Sequence, residues 1–133
     1  MGGATERGVQ LIVEMPTSTS NYYKTAEMQI LTHHIYEYKK GLRNLVLYTM
    51  NSNELSKTKE LLSGKEICYY ISKVNANKVN VFFGDEACVK IIESFGDKLL
   101  SEYSDKEDFM LGTMLGYDRV KQCERYIKRR NIE

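Results

Sequence analysis

Histidine and cysteine side chains are the first candidates for chemistry in this chain. His33 and His34 are adjacent, and the sequence contains no other histidine. Neighbouring residues of a strand point to opposite faces, so one metal ion would not reach both imidazoles, and no third ligand follows at metal-site spacing. Cys88 lies in the first turn of a predicted helix, a position that lowers a thiol pKa and favours a nucleophile. The pattern predicts no metal site and assigns no catalytic residue.

A cluster of basic and aromatic residues lies where a predicted strand gives way to a predicted helix. Lys39, Lys40 and Arg43 are its cations, and Tyr36 and Tyr38 are interleaved with them. Aromatic side chains beside cations are typical of protein interfaces, and a loop of this composition suits an acidic partner or a bound phosphate. We therefore expect partner binding through these five residues.

A second group of cations lies near the C-terminus. These side chains complement the dipole of the predicted last helix and keep it soluble. Nucleic-acid binding through them is disfavoured, because 19 basic and 18 acidic residues leave a net charge of only +1. The group consists of Arg119, Lys121, Arg125, Lys128, Arg129 and Arg130.

Length and composition define the class of protein. A chain of 133 residues is long enough for a hydrophobic core without disulfides or metal staples. Its three cysteines form no CxxC pair, which favours reduced thiols. The sequence has neither a signal-peptide pattern nor an apolar run of membrane-spanning length. We expect a cytoplasmic protein that does not bind membranes.

The chain divides by composition into an N-terminal leader and one domain. Residues 1–27 are rich in glycine and in turn-forming residues, which predicts a peripheral or disordered leader. Met28 opens a run with stronger structural patterning. Residues 28–133 are therefore expected to form a single α+β domain.

Hydrophobic periodicity predicts the first elements of this domain. Residues 29–38 are rich in β-branched and aromatic side chains and predict a strand. Apolar residues at i, i+3, i+4 and i+7 predict a short helix over residues 42–49, and another helix follows over residues 54–62. Two apolar runs, 67–74 and 78–83, flank Asn-Ala-Asn and predict a hairpin.

The last third of the chain predicts two helices. One covers residues 86–95, and the other begins at Ser104, whose spacing to Glu107 is that of a capping box. Gly112 and Gly116 would allow another element to approach closely. A buried stripe is expected along this last helix at Met110, Met114, Tyr117, Val120, Cys123 and Ile127. The predicted fold is α+β, with a small, mainly antiparallel three-stranded sheet and helices packed on one face.

Two sequence blocks carry a family resemblance. They are HHIYEYKKGLRNLVLYTM (33–50) and EDFMLGTMLGYDRVKQCERYIK (107–128), with VFFGDEACV between them. They resemble a family of small uncharacterised bacterial proteins known only as a domain of unknown function, over about residues 28–130. The resemblance implies a three-stranded, multi-helix α+β domain that forms a homodimer, has no assigned activity and is associated with flavodoxin.

Two functional hypotheses from different classes follow. The first is a non-enzymatic homodimeric accessory or regulatory protein that binds another protein, with flavodoxin as the candidate, through the cationic turn. The alternative is a small enzyme, or a flavin or nucleotide binder, with a dimer cleft formed by His33, His34, Asp118 and Arg119. The first hypothesis requires no cofactor, and a yellow colour or retained cofactor on purification would favour the second.

Overall fold

A computed structural model describes residues 25–131. The contacts divide the chain into two units, Met1–His33 and His34–Glu133, with the boundary inside the first helix. The leader predicted for residues 1–27 lies almost entirely outside the described residues. Among the helices of the described part, none is long and apolar enough to cross a membrane.

Five α-helices and three strands follow one another through the described residues. They are α1 (Ala26–Lys39), β1 (Leu45–Asn51), α2 (Leu55–Gly64), β2 (Cys68–Lys73), β3 (Lys78–Gly84), α3 (Glu86–Ser94), α4 (Asp105–Met114) and α5 (Arg119–Arg130). In the sheet the strand order is β1-β3-β2, and both pairs are antiparallel. The α+β class and the three-stranded antiparallel sheet are confirmed.

The strand predicted over residues 29–38 is wrong, because this segment is part of helix α1. Met28, Leu31 and Ile35 are buried, and their spacing of three and four residues places them on one helical face. Thr25 Oγ1 accepts the backbone N–H of Met28 at 3.1 Å, which caps the start of the helix. Strand preferences of individual residues are weak, and helical periodicity with a cap outweighs them here.

The helix predicted over residues 42–49 is also wrong, because most of this segment forms strand β1. Each residue from Leu45 to Asn51 has a partner in β3. Leu45 and Val46 are adjacent and both fully buried, which a strand achieves by directing them to opposite faces. Apolar residues that are dense in a short run fit both periodicities, and strand pairing decides between them.

The predicted hairpin is confirmed by strands β2 and β3. Its turn is held by Asn75, whose Oδ1 accepts the backbone N–H of Asn77 at 2.8 Å and that of Lys78 at 2.9 Å. An asparagine that binds its own backbone in this way is a common turn former. Helices α2 and α3 lie close to their predicted ranges.

Helices cover both faces of the sheet, which corrects the expectation of helices on one face only. On the first face, Phe82 packs in an apolar cluster with residues of α3 and α4. On the second face, the ring of Tyr38 meets Phe83 edge-on at 6.5 Å, and Thr58 Oγ1 of α2 donates to Met50 Sδ at 3.2 Å. Central strand β3 is consequently buried at every position after its first, since alternate residues face opposite layers.

The single last helix is in fact two helices. Its start is confirmed, because Ser104 Oγ accepts the Glu107 N–H at 3.1 Å and Glu107 Oε1 accepts the Ser104 N–H at 2.9 Å. Helix α4 ends before Gly116, which has a φ of +87°, a conformation that favours glycine. Asp118 then caps α5 by accepting a backbone N–H from its first turn.

This break changes which side chains are buried. The buried positions of α4 and α5 are Leu111, Gly112 and Gln122, because each helix turns its own face inward. Close packing is confirmed at Gly112, where a Cβ would collide with the Gln122 side chain, but not at Gly116, where a Cβ would meet nothing within 4 Å. The predicted buried stripe is wrong at its exposed members Met110, Tyr117, Val120, Cys123 and Ile127.

Candidate functional site

The end of helix α1 and the turn that follows it form an exposed surface with both apolar and cationic groups. Tyr36 is 53% exposed and Leu42 is 70% exposed. Lys39 and Lys40 are also exposed. The ammonium group of Lys40 lies 5.5 Å from the centre of the Tyr36 ring, within range of a cation–π contact. We call these four residues the turn surface.

The other two members of the predicted binding cluster are held by contacts within the chain. Arg43 Nη1 donates to Glu37 Oε1 at 3.2 Å and lies 3.0 Å from His34 Nδ1. The hydroxyl of Tyr38 donates to Asp85 Oδ1 at 3.2 Å. Burial raises the pKa of Tyr38, and the Asp85 carboxylate raises it further. The phenol is therefore protonated at neutral pH. Arg43 and Tyr38 therefore fix the turn in place and present little of themselves to a partner.

The four residues of the predicted ligand cleft lie on separate parts of the fold. His33 and His34 are adjacent in a helix, so their side chains diverge by about 100° and not by the half turn of a strand. The His34 ring contacts Tyr48, 5.6 Å between centroids, on the second face of the sheet. Asp118 caps α5 and Arg119 begins it, and α5 packs on α4, which covers the first face. His34 and the Asp118–Arg119 pair thus belong to opposite sides of the sheet.

The geometry at Cys88 does not favour a nucleophile. Burial raises the pKa of its thiol, and the nearby Asp85 carboxylate raises it further, so both effects oppose the thiolate. The expected lowering by the helix N-terminus is therefore outweighed. Within residues 25–131, no group of three or more histidine, cysteine, aspartate or glutamate side chains is placed to hold a metal ion.

Helices α4 and α5 are joined by ion pairs that we call the arginine clamp. Arg125 donates to both oxygens of Asp108, from Nε at 2.7 Å and from Nη2 at 3.0 Å. Arg129 lies 3.0 Å from Asp108 and 2.9 Å from Asp105. Hydrogen bonds from Arg125 hold the pKa of Asp108 below its usual value. Much of the cationic character predicted for the last helix is therefore neutralised within the chain.

An apolar groove of about 540 Å³ lies between α4 and α5. Phe109 and Tyr126 meet edge-on within it, with ring centroids 5.7 Å apart. Sequence reasoning did not select these two residues, because it placed one continuous helix with a different inward face. The spacing of apolar residues, considered for each helix separately, could have identified Phe109 and Tyr126. We call this groove the outer groove. It is lined by Lys106, Phe109, Met110, Cys123, Tyr126 and Ile127.

Comparison with protein families supports the sequence resemblance. Residues 29–129 match the model of a family described as "Protein of unknown function (DUF2023)". The match contains both blocks on which the resemblance depends, residues 33–50 and 107–128. No curated protein matches the chain.

Proposed function

We propose that this chain, which belongs to the DUF2023 family of proteins of unknown function, is a non-enzymatic accessory protein that binds an acidic protein. The observation that carries the proposal is the turn surface, where Tyr36 and Leu42 are more than half exposed beside Lys39 and Lys40. Aromatic anchors next to cations combine contact area with electrostatic steering of an oppositely charged partner.

The contacts behind the turn surface support this role. The Arg43–Glu37 ion pair and the Tyr38–Asp85 hydrogen bond tie the turn to α1 and to the start of α3. A surface fixed in this way loses little conformational entropy when a partner binds. Arg43 and Tyr38 therefore act as positioning residues for the proposed interface.

Flavodoxin is the partner that we propose to test first, because the sequence resemblance implies an association with it. Binding should weaken as salt rises, since exposed charges are screened within a Debye length of about 8 Å at physiological ionic strength. Calorimetric titration at low and at physiological salt measures this dependence. Absence of binding at high micromolar flavodoxin in low salt would eliminate flavodoxin as the partner.

A pair of charge reversals locates the interface. Lys39→Glu with Lys40→Glu should weaken binding at least about tenfold, because both attraction and steering are reversed. The matched control is Lys121→Glu with Lys128→Glu, which makes the same charge change on exposed positions of α5. Equal losses from the two double variants would refute the turn surface as the specific site.

We also propose that two copies of the chain associate through the outer groove. Its lining is apolar except for Lys106, and an apolar face can pair with a copy of itself across a two-fold axis without requiring opposite charges. Met110 is 39% exposed and Ile127 is 44% exposed, so both side chains are available to a second copy.

Light scattering on the intact chain tests this association. The wild type should have the mass of a dimer, and Met110→Glu or Ile127→Glu should give a folded monomer, because a charge would be buried without a partner. The control is Ile91→Glu, which places the same charge at an exposed apolar position of α3. A monomeric wild type, or a dimer that survives both groove variants, would refute the proposal.

A further inference from the structure

A second cavity, of about 420 Å³, lies between strand β1 and the inward sides of α4 and α5. We call it the inner cavity. Leu47, Leu111 and Leu115 provide apolar walls, and Tyr117, Gln122 and Arg125 add polar groups. Its volume is within the range of small-molecule sites, which combine apolar walls with a few placed polar groups. It shares no residue with the turn surface or the outer groove.

Gln122 is the residue that points to a ligand. It is only 9% exposed and lines the inner cavity. Its amide makes no hydrogen bond with any other residue between 25 and 131, although α5 holds it firmly against Gly112. The amide atoms keep contact with the solvent in the inner cavity, because the residue is largely buried but neither amide atom is fully buried. A ligand in the cavity can therefore replace this solvent and take both hydrogen bonds of the amide.

Arg125 provides a second point of attachment. Its Nε and Nη2 donate to Asp108, while Nη1 makes no hydrogen bond within the described residues. Arg125 also has 55% of its side chain exposed, so a carboxylate or phosphate can reach Nη1 without breaking the arginine clamp. Anionic groups are the natural partners of a guanidinium.

We propose that the inner cavity binds a mononucleotide. A glutamine amide presents a donor and an acceptor in one plane and pairs in bidentate fashion with an adenine edge, which carries a donor beside an acceptor. The phosphate then reaches Arg125, and the exposed ring of Tyr117 can stack on the base. This proposal is independent of protein binding at the turn surface.

Nuclear magnetic resonance titration of the full chain with AMP is the direct test. Resonances of Leu47, Tyr117 and Gln122 should shift together, and AMP should bind more tightly than adenosine or inorganic phosphate. No shift up to roughly 10 mM AMP would overturn the proposal. Phosphate that binds as tightly as AMP would also overturn it, by showing an anion site without base recognition.

Two changes test the contact at Gln122 from opposite sides. Gln122→Leu should weaken AMP binding at least about tenfold while Glu124→Leu, an exposed change on the same helix, leaves it unaltered. Purine riboside monophosphate lacks the 6-amino donor. It should bind the wild type more weakly than AMP does, whereas the two nucleotides should bind Gln122→Leu with equal affinity. This ligand comparison still decides the matter on the wild type if the variant does not fold. Equal affinities of the wild type for the two nucleotides would refute base recognition by Gln122.

Discussion

The two groups of cations in this chain look alike in sequence and differ in the folded protein. In α5, Arg125 and Arg129 lie within 3.0 Å of Asp108. In the turn surface, Lys39 donates to a backbone carbonyl, that of Lys65 at 3.3 Å, and Lys40 lies over the Tyr36 ring. Neither lysine has an ion pair with a described carboxylate. One group holds two helices together and the other faces outward.

The difference shows that a run of basic residues does not by itself indicate a binding surface. The carboxylates that neutralise α5 lie in the first turn of α4, and Asp108 is 17 residues before Arg125 in the chain. Antiparallel packing brings the acidic start of α4 to the basic end of α5, and each charge also suits the helix dipole beside it. Among residues 25–131, no helix brings a carboxylate into an ion pair with the lysines of the turn surface. Exposure of a charge depends on what packs against it.

The largest expected effect is at the arginine clamp. Asp108→Asn removes the charge that faces both arginines, and should lower the free energy of unfolding by roughly 3 kcal/mol, the upper end for hydrogen bonds to charged groups. Urea denaturation measures this loss. The matched variant in the turn is Glu37→Gln, whose carboxylate faces one arginine, Arg43, with the His34 ring 3.6 Å away, and it should cost less than half as much. Similar costs for the two variants would show that the regions do not differ in this respect.

The clamp should also make stability depend on pH. The pKa of Asp108 is lower in the folded chain than its ordinary value, so its contribution is complete above the unfolded pKa, near 4. The contribution is lost as pH falls through the folded pKa. The stability difference between wild type and Asp108→Asn should therefore be constant near neutral pH and shrink below about pH 4. Melting temperatures of the wild type and of Asp108→Asn, measured across this pH range, test the mechanism. A difference between the two proteins that stayed constant below about pH 4 would contradict it.

A packing change in the same helix pair should have the next largest effect. A Cβ at Gly112 would collide with the Gln122 side chain, so Gly112→Ala should cost roughly 2 kcal/mol through overpacking. Most of that cost should disappear in a Gln122→Ala background, because the obstructing side chain is gone. A double-mutant cycle by urea denaturation measures the coupling. Additive costs would show that the two residues do not share this contact.

The smallest effect on stability is expected at the turn surface. Lys39→Ala with Lys40→Ala should change the free energy of unfolding by no more than about 0.5 kcal/mol, since neither lysine has a carboxylate partner among the described residues. Thermal melts of this variant beside Asp108→Asn give the comparison directly. A loss of several kilocalories per mole would show that these lysines stabilise the fold and are not reserved for a partner.

Several features of the fold could be predicted from the sequence because short stretches of chain determine them. Asn75 bonds to its own turn, and Ser104 and Glu107 cap each other within four residues. Such signals need no distant partner. The hairpin, the start of α4 and the positions of α2 and α3 therefore follow from local chemistry, as does the fold class.

Other features depended on contacts between distant parts of the chain. Residues 29–38 and 42–49 carry apolar patterns that suit either a helix or a strand, and pairing of β1 with β3 assigned the strand to the second segment. The break near Gly116 reversed the expected pattern of burial, leaving Met110 exposed and Gln122 inside.

The candidate sites divide in the same way. Local composition was enough to select Tyr36, Lys39 and Lys40, because residues of one helical end remain neighbours in any packing. Only the tertiary structure showed that Arg43 is paired with Glu37. The outer groove and the inner cavity could likewise be recognised only in the tertiary structure. Both depend on the relative placement of α4 and α5, which is set by packing along the whole length of the two helices.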